Sequence, residues 1–147
     1  MLLHRLMTLV WAFLIAVLVI SGCAALKFEE LADPGWGYRG EVQSGNLAGL
    51  KLVAIWPSRD ICIVRRAIGQ TQPSQLWLIE DECHRLTVTR VGSGDYWAFT
   101  FSGPPAGIFA VAYSQNDNAV KAACSRLRWS VSGRTSDCSR ISVRYLE

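Results

Sequence analysis

The sequence is poor in the residues from which catalytic sites are built. Two histidines occur in 147 residues, and one of them, His4, precedes a long apolar run. A Ser-His-Asp arrangement would therefore have to use His84, which stands beside Arg85 in a polar segment typical of a surface turn. No Gly-rich phosphate loop is present, since residues 92–94 are too few and lead into a strand pattern. We therefore expect no enzymatic activity.

The usual patterns for metal ions and nucleic acids are also missing. None of the five cysteines belongs to a C-x-x-C pair, from which zinc sites normally draw ligands. Residues 115–118 (QNDN) carry oxygen ligands but lack the spaced carboxylates and the bidentate Glu of a calcium loop. The balance of 15 basic against 12 acidic residues is too even for a nucleic-acid partner. We expect no cofactor and no metal.

A long apolar run dominates the N-terminal part of the chain. His4 and Arg5 give it a cationic start, residues 6–20 contain no charge, and small residues lead to Cys23. This layout is typical of an export signal, so residues 1–22 are predicted to be a signal peptide. The alternative is an uncleaved membrane helix, for which about 20 apolar residues suffice. Both interpretations place the rest of the chain outside the cytoplasm.

Ile20-Ser21-Gly22-Cys23 resembles the lipobox of bacterial lipoproteins. The resemblance implies that the mature chain begins at Cys23, which carries acyl chains such as palmitate and anchors the protein to a membrane. Ala24 follows instead of the Asp that retains such proteins in the inner membrane. The implied location is therefore the outer membrane, facing the periplasm, ahead of the inner membrane or the cell surface.

Four further cysteines remain in the exported part. An even number in an oxidising compartment predicts two disulfides, although the sequence allows three pairings. We favour Cys62–Cys83, because antiparallel pairing of residues 61–68 with 76–83 would bring these ends together. We also favour Cys124–Cys138, which becomes possible if Cys124 belongs to a helix that lets the chain fold back.

Residues 35–147 are predicted to form one domain, after a tether of residues 23–34. Short β-branched or aromatic runs, broken by Gly, Pro, Ser and Asn, predict strands. They cover residues 50–56, 61–68, 75–80, 86–91, 96–102 and 108–113. Asp117 or Asn118 can cap one short helix over residues 118–126. Alternation in residues 127–131 and 141–145 predicts a terminal hairpin with one apolar and one basic face. The expected fold is mainly β, a β-sandwich with one short helix.

Residues 101–118 (FSGPPAGIFAVAYSQNDN) resemble the strand, Pro-Gly turn, strand and polar loop of transthyretin-like (prealbumin-like) β-sandwich domains, an Ig-like architecture. The resemblance is strongest to a family of small exported bacterial proteins with a Phe-x-x-Leu-Pro-x-Gly-x-Tyr-Ala-Val pattern. The matching residues are Phe101, Pro105, Gly107, Phe109, Ala110 and Val111. Residues 48–58 (AGLKLVAIWPS) fit the first strand of that family.

Two sets of side chains are candidates for binding. The first is an arginine row on the basic face of the predicted hairpin, formed by Arg126, Arg128, Arg140 and Arg144. Arginine grips carboxylate and phosphate with paired hydrogen bonds, so the row could meet acidic groups of a protein, lipopolysaccharide or peptidoglycan peptides. The alternative is a solvated face that guards against edge pairing.

The second set is aromatic. Trp36 and Trp56 lie next to turns and could stack on sugar rings or anchor an interface, the alternative being core packing. Trp97 and Trp129 are predicted to lie on the core face.

The first functional hypothesis is a protein-binding accessory or assembly subunit of a cell-envelope complex. Transthyretin-like lipoproteins of secretion machines suggest it by analogy. The second is a glycan- or peptidoglycan-binding module, and an envelope enzyme comes third. The glycan hypothesis requires Trp36 and Trp56 to be exposed together over a shallow groove. The protein-binding hypothesis requires a larger patch of apolar and arginine side chains.

Overall fold

The computed structural model of this chain describes residues 27–71, 77–103, 105–112, 117–131 and 133–146. The predicted signal peptide, residues 1–22, lies outside the described residues, as does Cys23. Residues 115 and 116, which belong to the segment considered as a calcium loop, also lie outside them. Among the helices that are described, none has the length and apolar character needed to cross a membrane.

The described domain is mainly β, as the sequence predicts. Its strands are β1 (Gly35–Val42), β2 (Lys51–Trp56), β3 (Trp77–Ile79), β4 (His84–Phe101), β5 (Gly107–Ala112) and β6 (Ser139–Tyr145). Its α-helices are α1 (Phe28–Leu31), α2 (Arg59–Thr71) and α3 (Asp117–Ser130), and Gly45–Leu47 forms a 3-10 turn.

The six strands form one antiparallel sheet in the order β3-β1-β2-β5-β4-β6. The start of β1 also pairs with the start of β4, where Trp36 lies opposite Arg85. Because β1 pairs with β2, β2 with β5 and β5 with β4, this extra pairing closes four strands into a ring. Gly37 stands at the closure, where a Cβ atom would come within 2.7 Å of the Ala54 carbonyl oxygen.

Each face of the sheet has its own hydrophobic core, because side chains alternate along every strand. One face buries side chains such as Val53, Ile55 and Leu86 and is covered by α1. The opposite face buries Trp56 and Phe99, among others, and is covered by α2 and α3.

The predicted tether, residues 23–34, is shorter than the sequence suggests. Phe28 and Leu31 lie three residues apart on α1, so they share one face, and both are 8% exposed. With Ala32, which is fully buried, they pack into the core beneath the sheet. The packed domain therefore begins at α1 and not at residue 35.

The predicted strand over residues 61–68 is wrong, because these residues lie in helix α2. Pro57 ends β2, and the Ser58 hydroxyl then accepts a hydrogen bond from the Ile61 amide at 3.3 Å, as a helix cap does. The acidic Asp60 in the first turn also favours a helix start. The predicted Cys62–Cys83 disulfide is confirmed, and it joins the helix, not a strand, to the segment before β4.

The predicted terminal hairpin is also wrong. The helix that was expected over residues 118–126 is present as α3 and continues to Ser130, while β6 pairs with β4. Good helix formers continue to Arg128, so the alternation of Leu127 and Trp129 does not mark a strand. Trp129 is 81% exposed and does not belong to the core. The predicted Cys124–Cys138 disulfide is confirmed and ties α3 to the segment before β6.

The strands predicted over residues 86–91 and 96–102 are joined in β4 by a bulge. Val91 and Tyr96 are both opposite Ile141, so residues 92–95 have no partner on β6. Gly92 and Gly94 have φ values of 85° and 112°, which favour glycine. These values let β4 bend away from β6 and pair with it again after the bulge.

Candidate functional site

The four arginines predicted to form a row lie on two elements. Arg126 and Arg128 belong to α3, whereas Arg140 and Arg144 belong to β6. No single basic face carries all four, because the hairpin that would have aligned them does not form.

Two of these arginines bond to other residues within the domain. Arg128 forms an ion pair with Asp137 at 2.9 Å and donates from Nε to the Thr135 hydroxyl at 3.1 Å, next to the Cys124–Cys138 bridge. Arg140 donates from Nε and Nη2 to the carbonyl oxygen of Gly94, at 3.0 and 2.7 Å, and so braces the β4 bulge. Their guanidinium groups are already engaged, which makes them poor candidates for a partner.

The other two arginines are exposed. Arg144 lies on β6 opposite Thr87. Arg126 stands at the rim of a small cavity of about 160 Å³ between α3 and residues 46–50. Its apolar lining includes Leu47, Leu50 and Ala123.

Trp36 and Trp56 are brought together but are not both accessible. They lie directly opposite each other on β1 and β2. Trp56 is only 5% exposed and packs edge-on against Phe101, with ring centroids 5.5 Å apart. Trp36 is half-buried, with Arg59 5.7 Å from its ring centroid. Both tryptophans pack with the core beneath α2, which is the alternative of core packing, and the exposed pair of rings that the glycan hypothesis requires is not formed.

A larger exposed apolar surface lies on α2, and the sequence analysis does not predict it. We call it the α2 face; it consists of Ile63, Val64, Ala67 and Ile68. All four residues are exposed, Ile63 by 46%, Val64 by 56% and Ile68 by 42%. The sequence does indicate such a surface: residues 61–68 contain more apolar side chains than one side of a helix can bury.

Arginines border the α2 face. A shallow groove beside it is lined by Arg59, Ile63, Arg66, Glu82 and Cys83. Arg66 donates to the Asp81 carbonyl oxygen and, at 3.4 Å, to the Gln70 side chain. Within the described part of the chain, neither Arg59 nor Arg66 forms an ion pair with a carboxylate. This surface therefore combines apolar area with an excess of basic residues, Arg59, Arg65 and Arg66 against Asp60 and Glu82.

Two of the three acidic residues that follow β3 form ion pairs. Asp81 pairs with Arg39, and Glu80 pairs with Lys51 at 2.9 Å. The bond to Asp81 raises the pKa of Arg39, and the bonds to Glu41 and then Glu80 raise the pKa of Lys51. Among the residues that the structure covers, no three His, Cys, Asp or Glu side chains are grouped so that they could hold a metal ion.

His84 lies on the surface, as the sequence predicts, and its side chain is 49% exposed. Its Nε2 atom is 3.8 Å from the Asp81 carboxylate, too far for a hydrogen bond. Its ring stands edge-on to Tyr145, with centroids 6.0 Å apart. These contacts are those of a surface side chain at the sheet end.

Comparisons with models of known protein families, with curated proteins and with solved structures find no match to this chain. The surfaces described above and the sequence of the N-terminal segment are therefore the basis for a functional proposal.

Proposed function

We propose that this protein is a lipid-anchored domain at the periplasmic face of the outer membrane that binds a protein partner. It would act as a non-enzymatic accessory or assembly subunit of an envelope complex such as a secretion machine. The Ile-Ser-Gly-Cys sequence ending at Cys23 supports the anchor. Two disulfides in a small domain support an oxidising compartment, because cytosolic thiols are kept reduced.

The transthyretin-like resemblance remains part of the proposal. Five of its six pattern residues fall on the end of β4 and on β5, and Pro105 lies between the two strands. The strands are antiparallel neighbours, with Phe101 opposite Gly107. Gly107 lies where a Cβ atom would be 2.6 Å from the Phe101 ring. A strand, a turn and a buried strand at these positions support the correspondence with that family.

The distance between the proposed anchor and the domain is short. Cys23 precedes Lys27 by four residues, and the packed residues begin at Phe28. Four residues of extended chain span at most about 14 Å. A lipid on Cys23 would therefore hold the α1 end of the domain close to the headgroups.

The observation that carries the protein-binding proposal is the exposed α2 face. Covering Ile63, Val64 and Ile68, each about half exposed, would contribute roughly 2 to 4 kcal/mol in total. The helix is held by a disulfide, so little ordering of the backbone would oppose binding. This is the mixed apolar and arginine patch that the protein-binding hypothesis requires.

The experiment is purification of the intact protein from membranes after mild cross-linking. We expect acylation at Cys23, membrane association and a co-purifying envelope protein. Cys23→Ala is expected to release the protein from the membrane and to reduce recovery of the partner. An unmodified chain in the soluble fraction, with free thiols, would contradict the proposal.

Peptidoglycan binding remains a second candidate because of Trp129. This ring is 81% exposed, and the Arg128 guanidinium lies 5.6 Å from its centroid. Exposed tryptophan is suited to carbohydrate and interface contacts because its ring offers a large flat surface. If the domain sediments with isolated peptidoglycan, and Trp129→Ala abolishes this while the cross-linked protein partner is absent, the glycan hypothesis is favoured.

A further inference from the structure

The exposed apolar residues of α2 have the spacing of a helix-packing surface. Ile63 and Ala67, and likewise Val64 and Ile68, are four residues apart, and Val64 and Ala67 are three apart. Side chains at these intervals form the ridges that fit between those of a second helix. The α2 face therefore matches the side of another helix better than it matches an extended strand.

The opposite side of α2 is fixed, so the face is already formed before binding. Cys62 is fully buried and bonded to Cys83. Arg65 lies 5.7 Å from the Trp56 ring centroid, and a Cβ atom on Gly69 would come within 2.9 Å of the Ile79 side chain. Rotation of the helix to bury Val64 and Ile68 would break these contacts.

The charge around the face favours an acidic partner. Helix α2 carries Arg59, Arg65 and Arg66 against a single acid, Asp60, and Glu82 lies across the groove. Two of the arginines lack an ion pair among the described residues, so carboxylates of a partner could pair with them. Two copies of this helix would instead bring arginines near arginines, which disfavours self-association.

The position of α2 also distinguishes a protein from the membrane as its partner. Helix α1, to which the proposed anchor leads, covers one face of the sheet, whereas α2 covers the opposite face. The α2 face and helix α1 therefore lie on opposite faces of the sheet. With the lipid proposed on Cys23, before α1, the α2 face would stay available to another protein.

We propose that the α2 face binds an amphipathic helix of a partner protein, with the partner's apolar residues on Ile63, Val64 and Ile68 and its Asp or Glu residues near Arg59 and Arg66. This inference rests on the proposed protein-binding function. It adds the surface, the secondary structure of the partner and the sign of its charge.

The test places a photo-activated cross-linking amino acid at Ala67 in the full chain in cells. Ala122 is the matched control, because it is an exposed alanine on α3, the other helix on this side of the sheet. We expect an adduct from position 67, at least about tenfold stronger than from position 122. The adduct is expected to map to a helical segment whose apolar residues recur at three and four positions beside Asp or Glu.

A charge variant tests the arginines. Arg59→Glu is expected to lower the adduct yield from position 67 about tenfold, because attraction becomes repulsion. The same change keeps a residue that suits the first turn of a helix, so α2 should still form. Arg90→Glu, an exposed arginine on β4, is the control and is expected to leave the yield unchanged.

The results distinguish the α2 docking surface from the broader proposal that the protein binds a partner. If the partner still co-purifies but position 67 yields no adduct, or Arg59→Glu has no effect, the docking surface is wrong and the protein-binding function stands. An adduct to a second copy of this chain or to lipid would also overturn the inference. If no partner is recovered at all, the protein-binding function itself is wrong.

Discussion

Trp97 on β4 donates a hydrogen bond from Nε1 to the Oδ1 atom of Asp117, the first residue of α3, over 2.9 Å. The Lys121 ammonium lies 5.1 Å from the centroid of the same indole ring. One tryptophan thus contacts both the first residue of the helix and a cation one turn further on. It fixes where α3 begins on the sheet.

Asp117→Ala should therefore destabilise the protein by about 1 to 2 kcal/mol, because it removes a charged acceptor and a carboxylate at a helix start. Asp117→Asn is the matched control and should cost less, since its amide oxygen still accepts the bond. Urea unfolding followed by circular dichroism measures both. Equal losses for the two variants would show that the hydrogen bond contributes little.

The bulge in β4 gives a second prediction. At Gly94, with φ of 112°, a Cβ atom would overlap the carbonyl oxygen of Ile141, whereas nothing lies within 4 Å of a Cβ atom at Gly92. Gly94→Ala should therefore destabilise the fold by more than about 2 kcal/mol, and Gly92→Ala by about 1 kcal/mol. Thermal unfolding of the two variants checks which one is less stable. If Gly94→Ala is no less stable than Gly92→Ala, the bulge tolerates a side chain at position 94.

The disulfides differ in the length of chain that they close. Cys62 and Cys83 are 21 residues apart, and Cys124 and Cys138 are 14 apart. Replacing either pair with alanine should cost about 3 kcal/mol, slightly more for the longer loop. The Cys62→Ala/Cys83→Ala variant should also lose cross-linking from position 67. Retained cross-linking would show that the bridge is not needed to present α2.

The stability of the protein at alkaline pH depends in part on Tyr145. Burial raises the pKa of Tyr145 to about 12, from the usual 10.0. Below pH 10 the group is neutral in both states, so this contribution to stability is fully present. It is lost as pH rises from 10 to about 12, because the unfolded chain releases its proton first. The loss should stay below about 2 kcal/mol, since the ring is partly exposed.

Tyr145→Phe should weaken this pH dependence, as seen in unfolding free energies measured between pH 9 and about 12. Burial also raises the pKa of Tyr38 and of Tyr96, so some dependence will remain in the variant. An unchanged slope would mean that Tyr145 does not contribute to it.

The sequence predicts those elements whose signals are local. The turn with Pro105 and Gly107 between two apolar strands is present, and both disulfide pairings are correct. The strand predicted over residues 61–68 is wrong because β-branched residues favour a strand locally, while the Ser58 cap and Asp60 in the first turn favour a helix.

The candidate binding surface could not be predicted in the same way. By residue type Ile63 and Val64 are core residues, and only the docked helix shows that this side faces solvent. Trp56 stands next to Pro57 in the sequence, yet its ring is covered by α2. Which apolar side chains remain uncovered depends on how helices dock on the sheet, and no short pattern encodes that.

The two edge strands of the described sheet offer little to a second molecule. They are β3 and β6, and β3 is three residues long. The longer β6 carries Arg140 and Arg144, charges that resist addition of another strand. Proteins held on a membrane meet one another far more often than they would in bulk solution. With the lipid anchor proposed above, short or charged edges would limit edge-to-edge pairing between neighbouring copies.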